Sequence, residues 1–196
     1  MIPAPRRAKP ARLGHPIFTG ATGLLFLCGM ETFYYSKLES PMAGPLIIGV
    51  SDRGLTLLEF DRGNFPPKKN HVLWTESSQA TQEYARQLTE YFAGRRREFT
   101  FPLDLRGTPF QLQCWRALLE IPYGETRTYA DLARAVGRPK AYRAVGMANN
   151  RNPIAIVVPC HRVIASDGTL CGYGGGLEVK RRLLELEGAL LADRVA

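Results

Sequence analysis

The sequence has few of the residues that build metal sites and disulfide frameworks. Its 196 residues include three histidines and four cysteines. No two cysteines form a Cys-x-x-Cys pair, and no histidine lies at zinc-ligand spacing from a cysteine. We therefore expect no metal site and no other cofactor. The cysteine spacing also differs from that of a disulfide-rich secreted protein, which makes a reducing cytoplasm the expected compartment.

The sequence also lacks a hydrophobic run long enough to cross a bilayer. Residues 18–28 are mostly apolar and follow four basic residues, as in a secretion signal. This run is too short for a membrane span, and no Ala-x-Ala-like cleavage site follows it. We therefore expect residues 1–29 to be a poorly ordered extension or the product of an upstream start codon. We expect no membrane partner.

Acidic residues are scarce in the two most basic parts of the chain. The whole sequence has 26 Lys and Arg residues against 18 Asp and Glu residues, a formal charge of +8. Residues 1–29 contain no acid, and residues 127–162 contain seven basic residues and one acid. A surface of this sign attracts a polyanion such as nucleic acid. The alternative is a basic surface that serves solubility alone, and charge does not decide between the two.

Residues 30–100 predict a small domain with an antiparallel sheet and a helix. Turn signals separate three short runs rich in β-branched and aromatic residues: Phe33–Ser40, Pro45–Ser51 and Leu55–Phe60. Apolar residues at helical spacing predict a helix over Ser77–Phe92. Residues 101–107 then form a connector.

Residues 108–190 predict a mainly helical domain, so the fold class is α/β of the α+β type. The apolar spacing predicts four helices: Phe110–Ile121, Tyr129–Val136, Lys140–Asn149 and Leu177–Glu187. Thr128 is a candidate N-cap of the second helix. The two short helices in the middle are joined by a turn at Gly137, which is typical of a helix-turn-helix in a winged-helix-like domain. An ordinary corner between two helices is the alternative.

The second of these short helices carries small residues at positions where a core helix would carry bulky ones. They are Ala144, Gly146 and Ala148, and Arg143 lies beside them. Glycine inside a helix costs about 1 kcal/mol relative to alanine. The pattern therefore indicates that another molecule or element approaches this helix closely.

A cysteine and a histidine follow a buried apolar segment and form the main chemical feature. Residues 153–159 predict an active-site strand that ends at Cys160 and His161. A thiolate is a nucleophile, and a nearby imidazole can accept the thiol proton. Adjacent side chains of a strand point to opposite faces, so a direct Cys–His hydrogen bond needs a turn at Cys160 or a bridging water. A structural role for a Cys-His pair is the alternative.

The histidine also needs a carboxylate to orient it. Three acids lie on the last predicted helix or at its end: Glu178, Glu185 and Glu187. The leucines beside Glu187 suggest that its side chain points inward. Spacing alone does not choose among the three.

The segment NPIAIVVPCHRV at residues 152–163 resembles the active-site signature of the O6-alkylguanine-DNA alkyltransferases, also called methylated-DNA–protein-cysteine methyltransferases. The resemblance extends in order and spacing through residues 108–133, 143–152 and 172–188, and it is closest to the metal-free bacterial type. Residues 30–100 resemble the variable N-terminal domain of that family more weakly.

The resemblance implies a role for each residue of the signature. Cys160 is similar to the acceptor of the alkyl group, His161 to the base that acts through a water, and Glu187 to the acid that orients this base. Asn152 is similar to the asparagine that braces the turn before the active-site segment. Tyr129 is similar to the tyrosine near the target phosphate whose hydroxyl can donate to guanine N3.

The remaining implied roles concern DNA. Arg143 is similar to the arginine that fills the space left by an extruded nucleotide, and Arg151 lies at the end of the same helix. Small residues such as Ala144 and Gly146 would let that helix enter the minor groove. The resemblance assigns three further residues to the wall of the guanine pocket: Val163, Tyr173 and Gly174. Cys171 departs from the family pattern in this region; we interpret it as a small filler residue, with a second reactive thiol as the alternative.

The function implied by the resemblance is DNA repair by direct reversal. A monomer would bind double-stranded DNA, flip out O6-alkylguanine or O4-alkylthymine, and transfer the alkyl group once to Cys160. Two other hypotheses remain. A lesion sensor related to the family would carry another residue in place of the cysteine, and a helix-turn-helix regulator would need a helix rich in base-reading side chains.

Overall fold

The computed structural model describes residues 31–66 and 73–189. The predicted extension at residues 1–29 lies outside the described residues. The described residues belong to one compact unit that begins at Glu31. No helix among them is long and apolar enough to cross a membrane.

A four-stranded sheet forms the first part of the fold. Its strands are β1 (Phe33–Ser40), β2 (Gly44–Ser51), β3 (Gly54–Phe60) and β4 (Trp74–Glu76). The strand order is β3-β2-β1-β4, with antiparallel pairing of β1 with β2 and of β2 with β3. This confirms the predicted antiparallel meander. The three-residue strand β4, which pairs parallel to β1, was not predicted.

Helix α1 (Ser78–Phe92) packs against the sheet. Ser77 caps its N-terminus, because the serine side chain accepts a hydrogen bond from the Ala80 amide at 3.2 Å. Leu88 and Tyr91 on this helix are completely buried. The sheet and the helix therefore share one apolar layer, as the helical spacing of the apolar residues in this segment predicts.

Four helices form the second part of the fold. They are α2 (Pro109–Leu119), α3 (Tyr129–Ala135), α4 (Tyr142–Asn150) and α5 (Leu177–Leu186). Each agrees with a predicted helix to within two residues at either end. The strands β5 (Arg127–Thr128) and β6 (Val163–Ile164) pair in parallel beside them.

A reciprocal cap fixes the start of α3. The Thr128 hydroxyl accepts from the Asp131 amide at 3.1 Å, and the Asp131 carboxylate accepts from the Thr128 amide at 2.8 Å. This capping box satisfies two amides that the first turn of the helix leaves without partners. The predicted N-cap is confirmed.

The predicted strand over residues 153–159 is wrong. Only Ile154 forms a bridge, to Leu58 in β3, and turns follow it. Ile156 has a φ angle of 72°, which interrupts an extended backbone. Cys160 then begins a short 3-10 turn, Cys160–Arg162. The apolar residues of this segment indicate that it is buried. A buried strand and a buried loop are equally apolar, so the sequence does not distinguish between them.

One apolar core runs through the described residues. Backbone hydrogen bonds join Leu58 to Pro153 and Ala155 at 2.8 and 2.9 Å, and the Trp115 indole donates to the Ala148 carbonyl at 2.9 Å. Ala148 is 3% exposed and belongs to this core, so its small size does not serve the close approach of an outside partner. The division into domains at residues 101–107 stays a prediction.

Candidate functional site

The buried carboxylate of Glu187 lies at the centre of the site. Glu187 caps the C-terminus of α5, and its side chain is completely buried. Oε1 lies 3.0 Å from Nε2 of His161 and accepts from the Tyr91 hydroxyl at 2.7 Å. Arg162 donates to both carboxylate oxygens, at 2.7 Å from Nε and 2.9 Å from Nη2.

These contacts determine the charge of the carboxylate. Burial alone would raise the pKa of Glu187, but hydrogen bonds and charge from His161 and Arg162 outweigh burial and bring it to about 2. Glu187 is therefore ionised at neutral pH, and Nε2 of His161 is the donor of the pair.

His161 is consequently held as a neutral base. Burial lowers the pKa of His161, although Glu187 acts in the opposite direction. With the proton on Nε2, the acceptor lone pair is on Nδ1. Nδ1 is buried and has no hydrogen-bond partner among the described residues. The turn at Cys160 is present, yet it does not produce a direct bond from the sulfur to this nitrogen.

The three acids that spacing could not separate differ clearly in the structure. Glu178 and Glu185 are exposed, and Glu178 pairs with Arg182 at 2.9 Å on the surface of α5. Glu187 is the acid that reaches His161.

Asn152 holds the segment that carries Cys160. Its amide nitrogen donates to the Val158 carbonyl at 2.8 Å and to Sγ of Cys160 at 3.2 Å. Its amide oxygen accepts from the Ile154 amide at 3.0 Å. Burial raises the pKa of Cys160, and the hydrogen bond from Asn152 partly opposes this. The sulfur is therefore a thiol at neutral pH and needs a base when it reacts.

Cys160 lies on the wall of a cavity of about 460 Å³. Predicted site residues that also line it are Tyr129, Asn152, Tyr173 and Gly174. Val163, which the resemblance assigns to this pocket, is completely buried and does not line the cavity. A volume of this size is typical of a pocket for a small organic group or a base.

Further lining residues come from β3 and the loop that follows it, and sequence reasoning missed them. The missed residues are Leu58, Glu59, Phe60, Arg62, Asn64 and Phe65. Arg62 donates to the Gly174 carbonyl at 3.0 Å, and the Phe60 and Tyr173 rings lie 5.6 Å apart in an edge contact. A Cβ atom at Gly175 would come within 2.4 Å of the Phe60 ring, so this close approach requires glycine.

Tyr129 presents its hydroxyl beside the cavity. Cys171 donates to this oxygen from Sγ at 3.6 Å. Burial is the main cause that raises the pKa of Tyr129, with Cys171 adding to it. The phenol therefore stays protonated and is able to donate a hydrogen bond.

The outer face of α4 is open. Arg143 and Ala144 are exposed, as is Arg151 just beyond the helix. Met147 is 57% exposed on the same face and was not predicted. Gly146 lies against Tyr129, whose ring would be 3.7 Å from an added Cβ. This distance is an ordinary van der Waals contact, so the packing against Tyr129 does not require glycine at position 146.

Three buried side chains of the site were also missed: Tyr91, Arg162 and Lys180. Lys180 donates to the carbonyls of Val163 and Cys171 at 2.5 and 2.9 Å. It thereby joins β6 to the pocket loop, which is the segment after β6 that carries Cys171, Tyr173 and Gly174. Burial lowers the pKa of Lys180. Arg162 belongs to the basic segment 127–162, but its guanidinium is buried against Glu187 and is not part of the surface. Its position next to Cys160 and His161 was a signal that could have revealed it.

Known proteins resemble both parts of this chain. Residues 33–105 match the ribonuclease-like domain of the 6-O-methylguanine DNA methyltransferase family, and residues 109–189 match its DNA-binding domain. A methylated-DNA–protein-cysteine methyltransferase of Methanosarcina barkeri is 51% identical over 157 residues, which are 79% of this chain and 96% of the relative. One from Mycobacterium leprae is 53% identical over 151 residues, 77% of this chain and 90% of the relative.

Solved structures show the same fold. The Mycobacterium tuberculosis O6-methylguanine methyltransferase has a TM-score of 0.73 at 49% identity, covering 83% of this chain and 97% of that protein. A structure named as M. tuberculosis OGT in complex with DNA has a TM-score of 0.72 at 48% identity, covering 80% of this chain and 93% of the other. With both family domains matched in order and relatives about half identical over most of the chain, this protein belongs to the 6-O-methylguanine DNA methyltransferase family.

Proposed function

We propose that this protein repairs DNA by direct reversal, moving an alkyl group from the O6 atom of guanine to Sγ of Cys160. The observation that carries the proposal is the position of Cys160. It lines a cavity large enough for a base, and the residue that follows it, His161, is buried and bonded to Glu187. The names of the relatives state that those proteins transfer a methyl group from methylated DNA to a protein cysteine.

The chemistry requires a thiolate only at the moment of reaction. The thiol proton leaves through a water that contacts Nδ1 of His161, and Glu187 stabilises the imidazolium. The sulfur attacks the alkyl carbon as the bond from this carbon to O6 breaks. The base, still attached to the DNA, becomes guaninate, and it takes up a proton at N1 to give guanine with its normal 6-oxo group. His161 returns to the neutral form by releasing to solvent the proton that it received from the thiol.

Tyr129 assists the leaving group. Its protonated hydroxyl donates to N3 of the flipped guanine while negative charge develops on the ring. Asn152 keeps Sγ in place, because its amide holds both the sulfur and the Val158 carbonyl. The thioether that forms offers no path for the alkyl group to leave, so each molecule acts once.

DNA contacts come from the exposed face of α4. Arg143 fills the gap in the stack that the flipped nucleotide leaves, while Ala144 and the flexible Met147 allow close approach to the groove. Tyr173 and Gly174 line the base pocket together with Cys160. Arg151 and other basic residues of the 127–162 segment contact phosphates without reading sequence.

The two other hypotheses fit less well. A lesion sensor would not need a thiol beside a buried base, and a regulator would not need the cavity. We place the protein in the cytoplasm, since its thiol must stay reduced to react. Double-stranded DNA with O6-alkylguanine is the expected substrate, and O4-alkylthymine is a further candidate.

A Cys160→Ala variant tests the proposal. The wild-type protein should restore guanine in a duplex with one O6-methylguanine, and its mass should rise by one methyl group in place of one hydrogen. The variant should bind the same duplex with similar affinity in a gel-shift assay and restore none. Repair by the variant would contradict the proposal.

A further inference from the structure

A tyrosine from the first family domain reaches the catalytic carboxylate. Tyr91 lies on α1, inside the segment that matches the ribonuclease-like domain, and it is completely buried. Its hydroxyl donates to Oε1 of Glu187 at 2.7 Å. The same oxygen accepts from His161 at 3.0 Å and from Arg162 at 2.9 Å. Three donors from two parts of the chain therefore share one oxygen.

The surroundings fix the Tyr91 ring in this position. Its ring centroid lies 5.5 Å from that of Phe99, 5.6 Å from Phe92 and 6.3 Å from Tyr123. These aromatic contacts and the complete burial of Tyr91 restrict the movement of its ring. Burial, followed by the neighbouring carboxylate, raises the pKa of Tyr91, so it remains a donor across the working pH range.

We infer that Tyr91 is a positioning residue of the transfer reaction, which sets the basicity of His161 by competing with it for Oε1 of Glu187. The inference rests on the proposed function. A carboxylate oxygen that already accepts a phenol has less negative charge to stabilise an imidazolium. Tyr91 therefore keeps His161 neutral at neutral pH, ready to accept the thiol proton.

Other groups also act on the His161–Glu187 pair. They are Arg162 of the 3-10 turn and Lys180 of α5, whose charges lower the pKa of His161. Cys160 is the neighbour of His161 in the chain, and Tyr123 and Tyr173 are neutral phenols whose own pKa values the Glu187 carboxylate raises. A Tyr91→Phe substitution removes the Tyr91 hydroxyl and changes none of these residues. It therefore isolates the contribution of that hydroxyl.

The test compares two phenylalanine variants of the full chain. Tyr123→Phe is the matched control, because the Tyr123 hydroxyl donates to the Leu186 carbonyl at 2.9 Å, next to Glu187 but not on its carboxylate. The rate of methyl transfer from an O6-methylguanine duplex is measured against pH. For Tyr91→Phe the acid side of the profile should move up by about half to one pH unit, as the loss of one hydrogen bond implies. Tyr123→Phe should leave it within about 0.2 pH units.

A second measurement does not depend on activity. NMR titration of the labelled His161 ring should give a higher pKa in Tyr91→Phe than in the wild-type protein and in Tyr123→Phe. Equal His161 pKa values in all three proteins would overturn the inference, as would equal displacement by the two variants. If the wild-type protein transferred no methyl group, the proposed function would fail, and the NMR comparison would still decide the role of Tyr91.

Discussion

The buried carboxylate of Glu187 couples the candidate site to pH. Glu187 accepts from His161, Arg162 and Tyr91, and it has no solvent contact. Breaking a buried pair by removing one partner costs about 3–5 kcal/mol, because the other charge is left without compensation. The residue that orients the base is therefore also one on which the stability of the site depends.

The stability of the fold should fall in two stages on acidification. The pKa of His161 is lowered by burial in the folded state, so the unfolded chain binds that proton first and stability declines below about pH 6.5. The pKa of Glu187 is about 2 when folded and 4.5 in the unfolded reference, so its contribution is complete above 4.5 and is lost between the two values.

A Glu187→Gln variant checks this account by thermal unfolding from pH 7 to pH 3. Its melting temperature should be lower at pH 7, because the Arg162 guanidinium loses its anion, and it should depend less on pH below 4.5. A variant whose curve runs parallel to that of the wild-type protein would contradict the assigned pKa of Glu187.

Sequence reasoning found the residues of the site that are neighbours in the chain. Cys160 and His161 are adjacent, and resemblance to the family identified Glu187 among three acids. Tyr91 is 96 positions from Glu187, and nothing in its helix distinguishes it from a core tyrosine. A contact of this kind depends on how two distant segments pack against each other, and a local sequence pattern does not determine that packing.

At the scale of elements, caps and turns place the reactive side chains. Tyr129 is the first residue of α3, and the capping box of Thr128 and Asp131 fixes where that helix begins. Local capping chemistry made this helix predictable. The Cys160 segment was not predictable, because Ile156 adopts a backbone conformation that its residue type disfavours.

Removing the cap should weaken the protein measurably. Thr128→Ala should lower the free energy of unfolding by about 1 kcal/mol and the melting temperature by about 2–4 °C. Thr126→Ala, in the same loop but outside the capping box, should have less than half this effect. Equal melting temperatures for Thr128→Ala and the wild-type protein would show that the cap does not hold α3.

The exposed face of α4 should matter for duplex DNA and not for a free base. Arg143→Ala should slow repair of an O6-methylguanine duplex by on the order of tenfold or more, since flipping costs a few kcal/mol. Its reaction with free O6-benzylguanine should be nearly unchanged. Arg116→Ala removes the same charge from the exposed side of α2 and is the matched control. Equal losses on both substrates for Arg143→Ala would remove the role in flipping.

At the scale of the molecule, net charge indicated the partner but not the surface. The formal +8 includes residues 1–29, and Arg162 within the basic segment is neutralised in the interior. The exposed basic residues near α4 are the ones able to meet phosphates. Composition therefore favours a polyanion only as one of two interpretations, while the fold determines which charges are exposed to it.

Binding to undamaged duplex DNA should weaken steeply with salt. Each phosphate contact adds a slope of about −0.9 to the plot of log affinity against log salt concentration. Reaction with free O6-benzylguanine should be nearly independent of salt. Fluorescence anisotropy and rate measurements over the same salt series compare the two, and a salt-independent affinity would contradict phosphate binding by this surface.

The stoichiometry of methyl transfer is the decisive measurement for Cys160 as the single acceptor. The protein is incubated with excess duplex that carries O6-methylguanine with a labelled methyl group, and the label is located by peptide mapping. We expect a plateau of one label per molecule, all of it on Cys160, with the same plateau for Cys171→Ser. Continued turnover beyond one equivalent, or label on any other residue, would contradict it.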